Sequence, residues 1–218
     1  MLFLKIYSLR WNTAKNPLGR QNLEVIRQYC VEQIYTLLNN DYTKVIPTMN
    51  TRIRQYTALL AALIVYYIVH EGAHLIAALS MGVFKTINFM GLGIQVDVYN
   101  TQMTDLQMGI FCMAGAISTL IIGYAMVLAS PMICKSNSKI FRAIMYYVTI
   151  TLLLLDPVYL SVLCGFFGGG DMNGIALLVP EWIARGFFGF LVIANGLLFW
   201  KVILPQYTRS FKEESKVS

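Results

Sequence analysis

Residues Tyr56 to Leu79 read YTALLAALIVYYIVHEGAHLIAAL, and apart from tyrosines their only ionisable side chains lie in His70-Glu71-Gly72-Ala73-His74. At about 1.5 Å per residue, a helix of this length measures roughly 36 Å, which is enough to cross a bilayer with some tilt. The stretch therefore predicts a membrane helix that carries three ionisable groups inside hydrocarbon.

The pattern H-E-x-x-H places His70 and His74 one helical turn apart on one face, where two imidazoles can hold one zinc ion. Glu71 would then lie beside the metal and take a proton from bound water. The chain has no other histidine. Each ionisable group in hydrocarbon costs about 2.5–3.5 kcal/mol on insertion scales, so three together favour a functional site. The alternative is that the three groups only satisfy one another within a helix bundle.

The composition supports a membrane protein. Of the 218 residues, 57% are hydrophobic and 13% are charged, and the mean hydropathy is +0.59, which is too apolar for an ordinary soluble domain. The net charge of +6 comes mainly from basic residues that flank apolar runs, a distribution that suits lipid headgroups and does not predict a nucleic-acid partner. The cysteines form no C-x-x-C pair, so neither a disulfide framework nor a cysteine zinc site is expected; they are Cys30, Cys112, Cys134 and Cys164.

The predicted fold class is an α-helical polytopic membrane protein with about four transmembrane helices, a short β-hairpin after the first and an N-terminal amphipathic helix. Residues 1–55 form a basic segment, residues 56–205 the membrane core and residues 206–218 a polar tail that is expected to be disordered. The amphipathic helix, from about Gln21 to Leu38, would lie on the membrane surface or pack on its neighbours. The predicted spans are Tyr56–Leu79, Leu106–Ser130, Ala143–Phe166 and Ile183–Leu204.

Between the first two spans, the segment from Gly82 to Tyr99 alternates polar and apolar residues around Gly91-Leu92-Gly93. Period-two alternation around a glycine pair predicts two short strands and a turn. Open strand edges cannot face lipid, so the hairpin must cover a cavity or lie at the interface. The strand from Gly91 to Asp97 could then add an extended substrate as a further strand. The alternative is a hairpin that only connects the two spans.

Two aspartates are candidates for a third metal ligand. Because successive spans alternate in direction, Asp171 follows the third span on the side where the H-E-x-x-H lies, and it is the predicted ligand; its alternative role is to cap a helix. Asp156 is the rival, since it lies at about the depth of His70. Its alternative role is to cap backbone that Pro157 frees, because proline predicts a kink or interruption there.

These features resemble the site-2-protease family of intramembrane zinc metalloproteases, over about Tyr56 to Asn195. The resemblance rests on the H-E-x-x-H in the first core helix and on the glycine-bearing β segment after it. A following helix with Ala114, Gly115 and Ser118, and an aspartate after the third helix, support it. Two features differ from the usual pattern: Ala73 stands where the family has glycine, and Gly-Gly-Asp-Met-Asn-Gly replaces its L-D-G motif.

The resemblance implies zinc held by His70, His74 and an aspartate, with Glu71 as general base, and a substrate that is a transmembrane protein segment. The predicted function is thus that of an integral, multi-pass zinc metalloprotease that hydrolyses peptide bonds with a zinc-activated water. A non-catalytic membrane subunit that keeps the fold and binds partner membrane proteins is the alternative. A metal or proton carrier is a second rival, although that class usually has internal repeats and none is found.

Orientation and access are open on the sequence alone. The Lys/Arg bias places the N-terminal segment, the Pro131–Lys139 loop and the tail in the cytoplasm, whereas the resemblance implies that the N-terminus lies outside. The Gly168–Gly170 turn and Asn173 could line a polar inlet for water. Asn195 could hydrogen-bond a substrate backbone, or it could serve packing.

Overall fold

The structure is a computed structural model that describes residues 50–90 and 93–214. The chain divides into two units, Met1–Asn50 and Thr51–Ser218, and the architecture below is that of the second. The amphipathic helix predicted for Gln21–Leu38 lies outside the described residues.

The described residues form four long apolar helices, one antiparallel hairpin and short connecting elements. Two of the long helices end in a turn of π-helix. In chain order the elements are α1 (Thr51–Ser80), β1 (Phe84–Met90), β2 (Gly93–Val98), a 3₁₀ turn (Asn100–Gln102), α2 (Asp105–Ile133), α3 (Lys139–Val158) with a π turn (Tyr159–Leu163), α4 (Asp171–Ile175), α5 (Glu181–Leu198) with a π turn (Phe199–Ile203), and α6 (Leu204–Glu214).

Four helical stretches are long and apolar enough to cross a membrane, as the sequence predicts. Their outer faces carry large apolar side chains, such as Ile76 at 71% exposure and Leu128 at 83% exposure. Water-soluble proteins rarely expose continuous apolar surface on this scale, so the arrangement is consistent with a multi-pass membrane protein. The four stretches are Thr51–Ser80, Asp105–Ile133, Lys139–Leu163 and Glu181–Lys212.

The predicted hairpin after the first span is confirmed. Strands β1 and β2 pair antiparallel, with Ile87 opposite Val96 and Phe89 opposite Ile94. Strand β2 packs against α1, and the buried Val96 side chain joins a core cluster with Ala78 of α1 and with α2. The hairpin is therefore anchored on the helix that carries the histidines.

One narrow stripe of α1 is buried, and it contains both histidines. Helix α1 packs against α2 and α3, which also pack against each other. The short helix α4 packs against α2 and α5. The buried residues of α1 recur at every fourth position, and they are Ala58, Ala62, Tyr66, His70, His74 and Ala78.

Of the kink or interruption predicted at Asp156-Pro157, the interruption is wrong, because α3 continues through Pro157 to Val158. Proline cannot donate to the carbonyl four residues earlier, which here belongs to Leu153. Asn195 Nδ2 of α5 donates to that carbonyl at 2.7 Å, and Tyr124 donates to Asn195 Oδ1 at 2.7 Å. Asn195 thus supplies the hydrogen bond that the proline removes, and this accounts for a buried amide in an apolar helix.

The expectation of a disordered tail from Gln206 is also wrong as far as the structure describes it. Helix α6 continues through Pro205 to Glu214. Tyr207 is only 1% exposed and packs with Leu153 of α3 and Ile203 of the preceding π turn, so apolar contact holds this last helix against the bundle.

Candidate metal centre

Three side-chain atoms converge where the buried stripe of α1 meets α4. The Nε2 atoms of His70 and His74 are 3.1 Å apart. Asp171 Oδ2 lies 3.3 Å from the first and 3.4 Å from the second. A tetrahedral zinc ion with bonds of about 2.0–2.2 Å places its ligand atoms about 3.3–3.5 Å apart. The His-His-Asp group is therefore close enough to bind a metal ion, and its donor set suits zinc.

The outer nitrogens of both imidazoles have partners that fix the orientation of the rings. His74 Nδ1 donates to the carbonyl oxygen of Phe111 at 2.8 Å, and a carbonyl oxygen can only accept. His70 Nδ1 lies 3.2 Å from the carboxylate of Asp156 and donates to it. In the neutral rings both Nε2 atoms then carry lone pairs that point at each other and at Asp171. Three acceptors in such contact need a cation between them, either a proton or a metal.

A run of three glycines brings Asp171 to the histidines. Gly168, Gly169 and Gly170 all have positive φ, at 81°, 86° and 46°, which other residues rarely adopt. Asn173 Nδ2 donates to the carbonyl of Gly168 at 3.1 Å and braces the turn. Asp171 then opens α4 without making a side-chain capping bond. The capping alternative is therefore wrong, because the carboxylate faces the histidines.

Asp171 is suited to act as an anionic ligand. Burial raises the pKa of this carboxyl, but in the metal-free site hydrogen bonds from a protonated His70 or His74 outweigh burial and lower the pKa to about 2. The carboxyl is therefore ionised at neutral pH. Its side chain keeps 22% exposure, so the centre has an open side.

Asp156 is not a member of the ligand group, and neither does it cap the backbone near Pro157. It is 1% exposed and lies on the Nδ1 side of His70, away from Asp171. Tyr66 donates to its Oδ1 at 2.5 Å, and Thr119 donates to its Oδ2 at 2.5 Å. The sequence correctly places Asp156 at about the depth of His70. The two side chains are in contact, but through His70 Nδ1, the ring nitrogen that faces away from Asp171.

Glu71 is held by the hairpin. The backbone N–H of Val96 donates to Glu71 Oε2 at 3.1 Å. Val96 is also the cross-strand partner of Ile87 in β1, and since its N–H points to Glu71, that amide lies on the edge of β2 that faces away from β1. The hairpin therefore fixes the carboxylate that follows the first histidine.

Small residues on α2 make room for the imidazoles. A Cβ at Gly115 would lie 2.6 Å from His74 Nε2 and 2.6 Å from His70 Cε1, which is far inside van der Waals contact. By contrast, a Cβ at Gly72 would meet nothing within 4 Å. Among the described residues the close approach to the imidazoles therefore occurs at Gly115 and not at Gly72.

Replacing Gly115 by alanine is expected to weaken zinc binding by about 10–100-fold, the range found when a ligand loses its supporting contact. The added methyl group must push one or both imidazoles out of the ligand triangle. Zinc affinity, measured by competition with a chromophoric chelator in detergent, checks this. Gly72→Ala is the matched control on α1: it should leave zinc affinity unchanged and favour the helix by up to about 1 kcal/mol. Equal affinities for the two variants would contradict the close packing at Gly115.

Several partners around the ligands carry no pattern that would reveal them in the sequence. The partners are Tyr66, Thr119 and the backbone groups of Phe111 and Val96. Of these, only Tyr66 could have been predicted, because it precedes His70 by four residues and therefore lies on the same face of the helix. The described cysteines, Cys112, Cys134 and Cys164, are free; Cys30 lies outside the described residues.

Comparison with protein-family models, with curated proteins and with solved structures finds no match for this chain.

Proposed function

We propose that this chain is an integral membrane zinc metalloprotease of the kind that the site-2-protease family represents, and that it cleaves transmembrane protein segments. The observation that supports this most is the triangle of His70, His74 and Asp171 donor atoms, with mutual distances of 3.1–3.4 Å, set in an apolar helix beside Glu71. Two of these residues come from one helix, and the third comes from a turn about 100 residues later in the chain.

A zinc ion held by this group would lower the pKa of a water molecule and polarise the scissile carbonyl. Glu71 would take the proton from the attacking water and pass it to the leaving amine. The N–H of Val96 keeps the Glu71 carboxylate oriented for this task. Asp171 and the two imidazoles would stay in place throughout, because each imidazole is fixed by a hydrogen bond on its outer nitrogen.

The substrate would enter as an extended segment. A helical peptide bond is shielded by its own turn, so a transmembrane substrate must unwind locally before cleavage, and helix-breaking residues in it would help. Within the strand predicted for Gly91–Asp97, the structure describes β2 (Gly93–Val98), and its outer edge is the proposed docking edge. The Val96 N–H is already used by Glu71, so backbone pairing along the same edge would fall to Ile94 and its neighbours.

Water would reach the site from the side of the glycine turn. Gly168 and Gly170 are exposed, and Asp171 beside them is partly exposed. Asn173 is exposed and braces the same turn. These residues are the proposed polar inlet, since they are the exposed groups next to the Asp171 carboxylate.

Chelation tests the proposal. The purified protein in detergent is incubated with a panel of transmembrane peptides that carry glycine or proline at their centre, and fragments are identified by mass spectrometry. We expect cleavage to be lost with 1,10-phenanthroline, to persist with the non-chelating 1,7-isomer and to return after zinc is added. Cleavage that resists chelation would contradict the zinc mechanism. A protein that holds zinc stoichiometrically but cleaves no peptide would favour the non-catalytic alternative.

A further inference from the structure

A second buried carboxylate supports one side of the metal centre. Asp156 of α3 receives hydrogen bonds from residues on two other helices: Tyr66 and His70 on α1, and Thr119 on α2. Both hydroxyl donors lie 2.5 Å from a carboxylate oxygen. A carboxylate at this depth costs about 2.5–3.5 kcal/mol on insertion scales, so its presence calls for a role beyond the packing of three helices.

We propose that Asp156, held by Tyr66 and Thr119, is a positioning residue that fixes the tautomer and orientation of His70 as a metal ligand. This inference rests on the proposed metal centre. By accepting the Nδ1 proton of His70, Asp156 leaves Nε2 as the lone-pair donor that faces His74 and Asp171. A carboxylate partner also makes the imidazole a more basic ligand.

The two histidines have different kinds of hydrogen-bond partner on their outer nitrogens. His74 donates its Nδ1 proton to the neutral carbonyl oxygen of Phe111, whereas His70 donates to an anionic side chain. The orientation of His70 therefore depends on side chains that substitution can remove one at a time, whereas the partner of His74 is a backbone group that substitution leaves in place.

The hydroxyl groups hold Asp156 in turn. Tyr66 precedes His70 by one helical turn, and its ring stacks on the imidazole with centroids 5.3 Å apart. Its hydroxyl group therefore binds Asp156 from the same helix face that carries the ligand. Thr119 is fully buried on α2 and donates to Oδ2, whereas Tyr66 donates to Oδ1. Together the two donors prevent the carboxylate from rotating away from His70 Nδ1.

The test uses zinc and cobalt ions alone with the full-length protein in detergent. Asp156→Asn keeps the shape of the side chain and removes its charge, and we expect zinc affinity to fall by about 10–100-fold. We also expect the visible absorption bands of the Co²⁺-loaded protein to shift, because the ligand field of His70 changes. Tyr66→Phe and Thr119→Val should each weaken zinc binding by about 2–10-fold, as expected for one hydrogen bond.

Thr149→Val is the matched control. Thr149 is also a fully buried threonine, but its hydroxyl group donates to the carbonyl of Met145 in its own helix at 2.7 Å. Its substitution should leave zinc affinity and the cobalt spectrum unchanged. A role in stability alone predicts that all these variants lower the melting temperature of the metal-free protein and that none changes the metal readouts.

The possible failures are distinguishable. If the wild-type protein binds no zinc, the proposed function fails, and the inference fails with it. If Asp156→Asn binds zinc as tightly as wild type with the same cobalt spectrum, the positioning role is overturned and the metal centre stands. Should Asp156→Asn not fold, the two hydroxyl variants decide: zinc affinities equal to that of Thr149→Val overturn the inference.

Discussion

Replacing Glu71 by glutamine is expected to lower peptide cleavage by roughly 10²–10⁴-fold, the usual contribution of a general base, while zinc content stays at the wild-type level. Glutamine has the same shape, and its amide oxygen can still accept the hydrogen bond from Val96 N–H. It cannot take a proton from water. Cleavage is followed by mass spectrometry on transmembrane peptides, and zinc content is measured on the same preparation.

The control for this substitution is Glu181→Gln. Glu181 lies at the start of α5, is 52% exposed in its side chain and pairs with Arg185 at 2.7 Å. The same chemical change there should leave both cleavage and zinc content unaffected, because an exposed ion pair contributes little. Cleavage by the Glu71 variant at the wild-type rate would remove Glu71 from the proposed mechanism.

Replacing Asp171 by alanine is expected to weaken zinc binding more than 100-fold, beyond the about 10–100-fold that loss of a ligand's outer partner costs. The substitution deletes one of three donor atoms and its negative charge. His70 and His74 would remain with lone pairs that point at each other. Metal analysis after dialysis against a weak chelator should find about one zinc per wild-type chain and close to none in the variant.

Asp105→Ala is the control, because Asp105 also occupies the first turn of a helix and is exposed at the start of α2. It should retain its zinc. The comparison with Asp156→Ala is decisive for the ligand set: metal lost in that variant but kept in the Asp171 variant would mean that the wrong aspartate has been assigned to the metal.

The first helix and its ligand pair could be predicted because both depend on local spacing. A run of apolar residues defines the span, and two histidines four residues apart share a face in any helix. The hairpin was predictable for the same reason, since alternation around Gly91-Leu92-Gly93 fixes two strands locally. Asp171 followed from the alternating direction of the spans, which brings the end of the third beside the histidines.

The behaviour of Pro157 and Pro205 could not be predicted, because distant residues decide it. Asn195 supplies the hydrogen bond missing at Leu153, from 42 residues away along the chain. Contacts of Tyr207 with α3 stabilise helix beyond Pro205. Local propensity alone therefore predicted an interruption and a disordered tail, and tertiary contacts overrode both.

The role of Asp156 was out of reach for the same reason. Its depth was predictable by counting residues, but whether it faces the ligand side or the outer side of His70 depends on how α1, α2 and α3 are rotated. The glycines show the same limit. No pattern in the sequence showed that a side chain is excluded at Gly115, because the imidazoles that exclude it belong to a neighbouring helix.

The buried stripe on α1 does not run parallel to the helix axis but turns gradually around it. Its residues are four apart while a turn has about 3.6 residues, so each step advances the stripe by about 40°, or about 200° from Ala58 to Ala78. Near its N-terminal end the stripe contacts α3 through Ala62, and at its C-terminal end it contacts the hairpin and α2 through Ala78. His70 and His74 lie between these two ends of the stripe.

Inserting one residue between Ala62 and His70 would keep the span equally apolar, yet it would turn the imidazoles by about 100° relative to α3. Membrane insertion tolerates such a change in length, but the site depends on the phase of the helix.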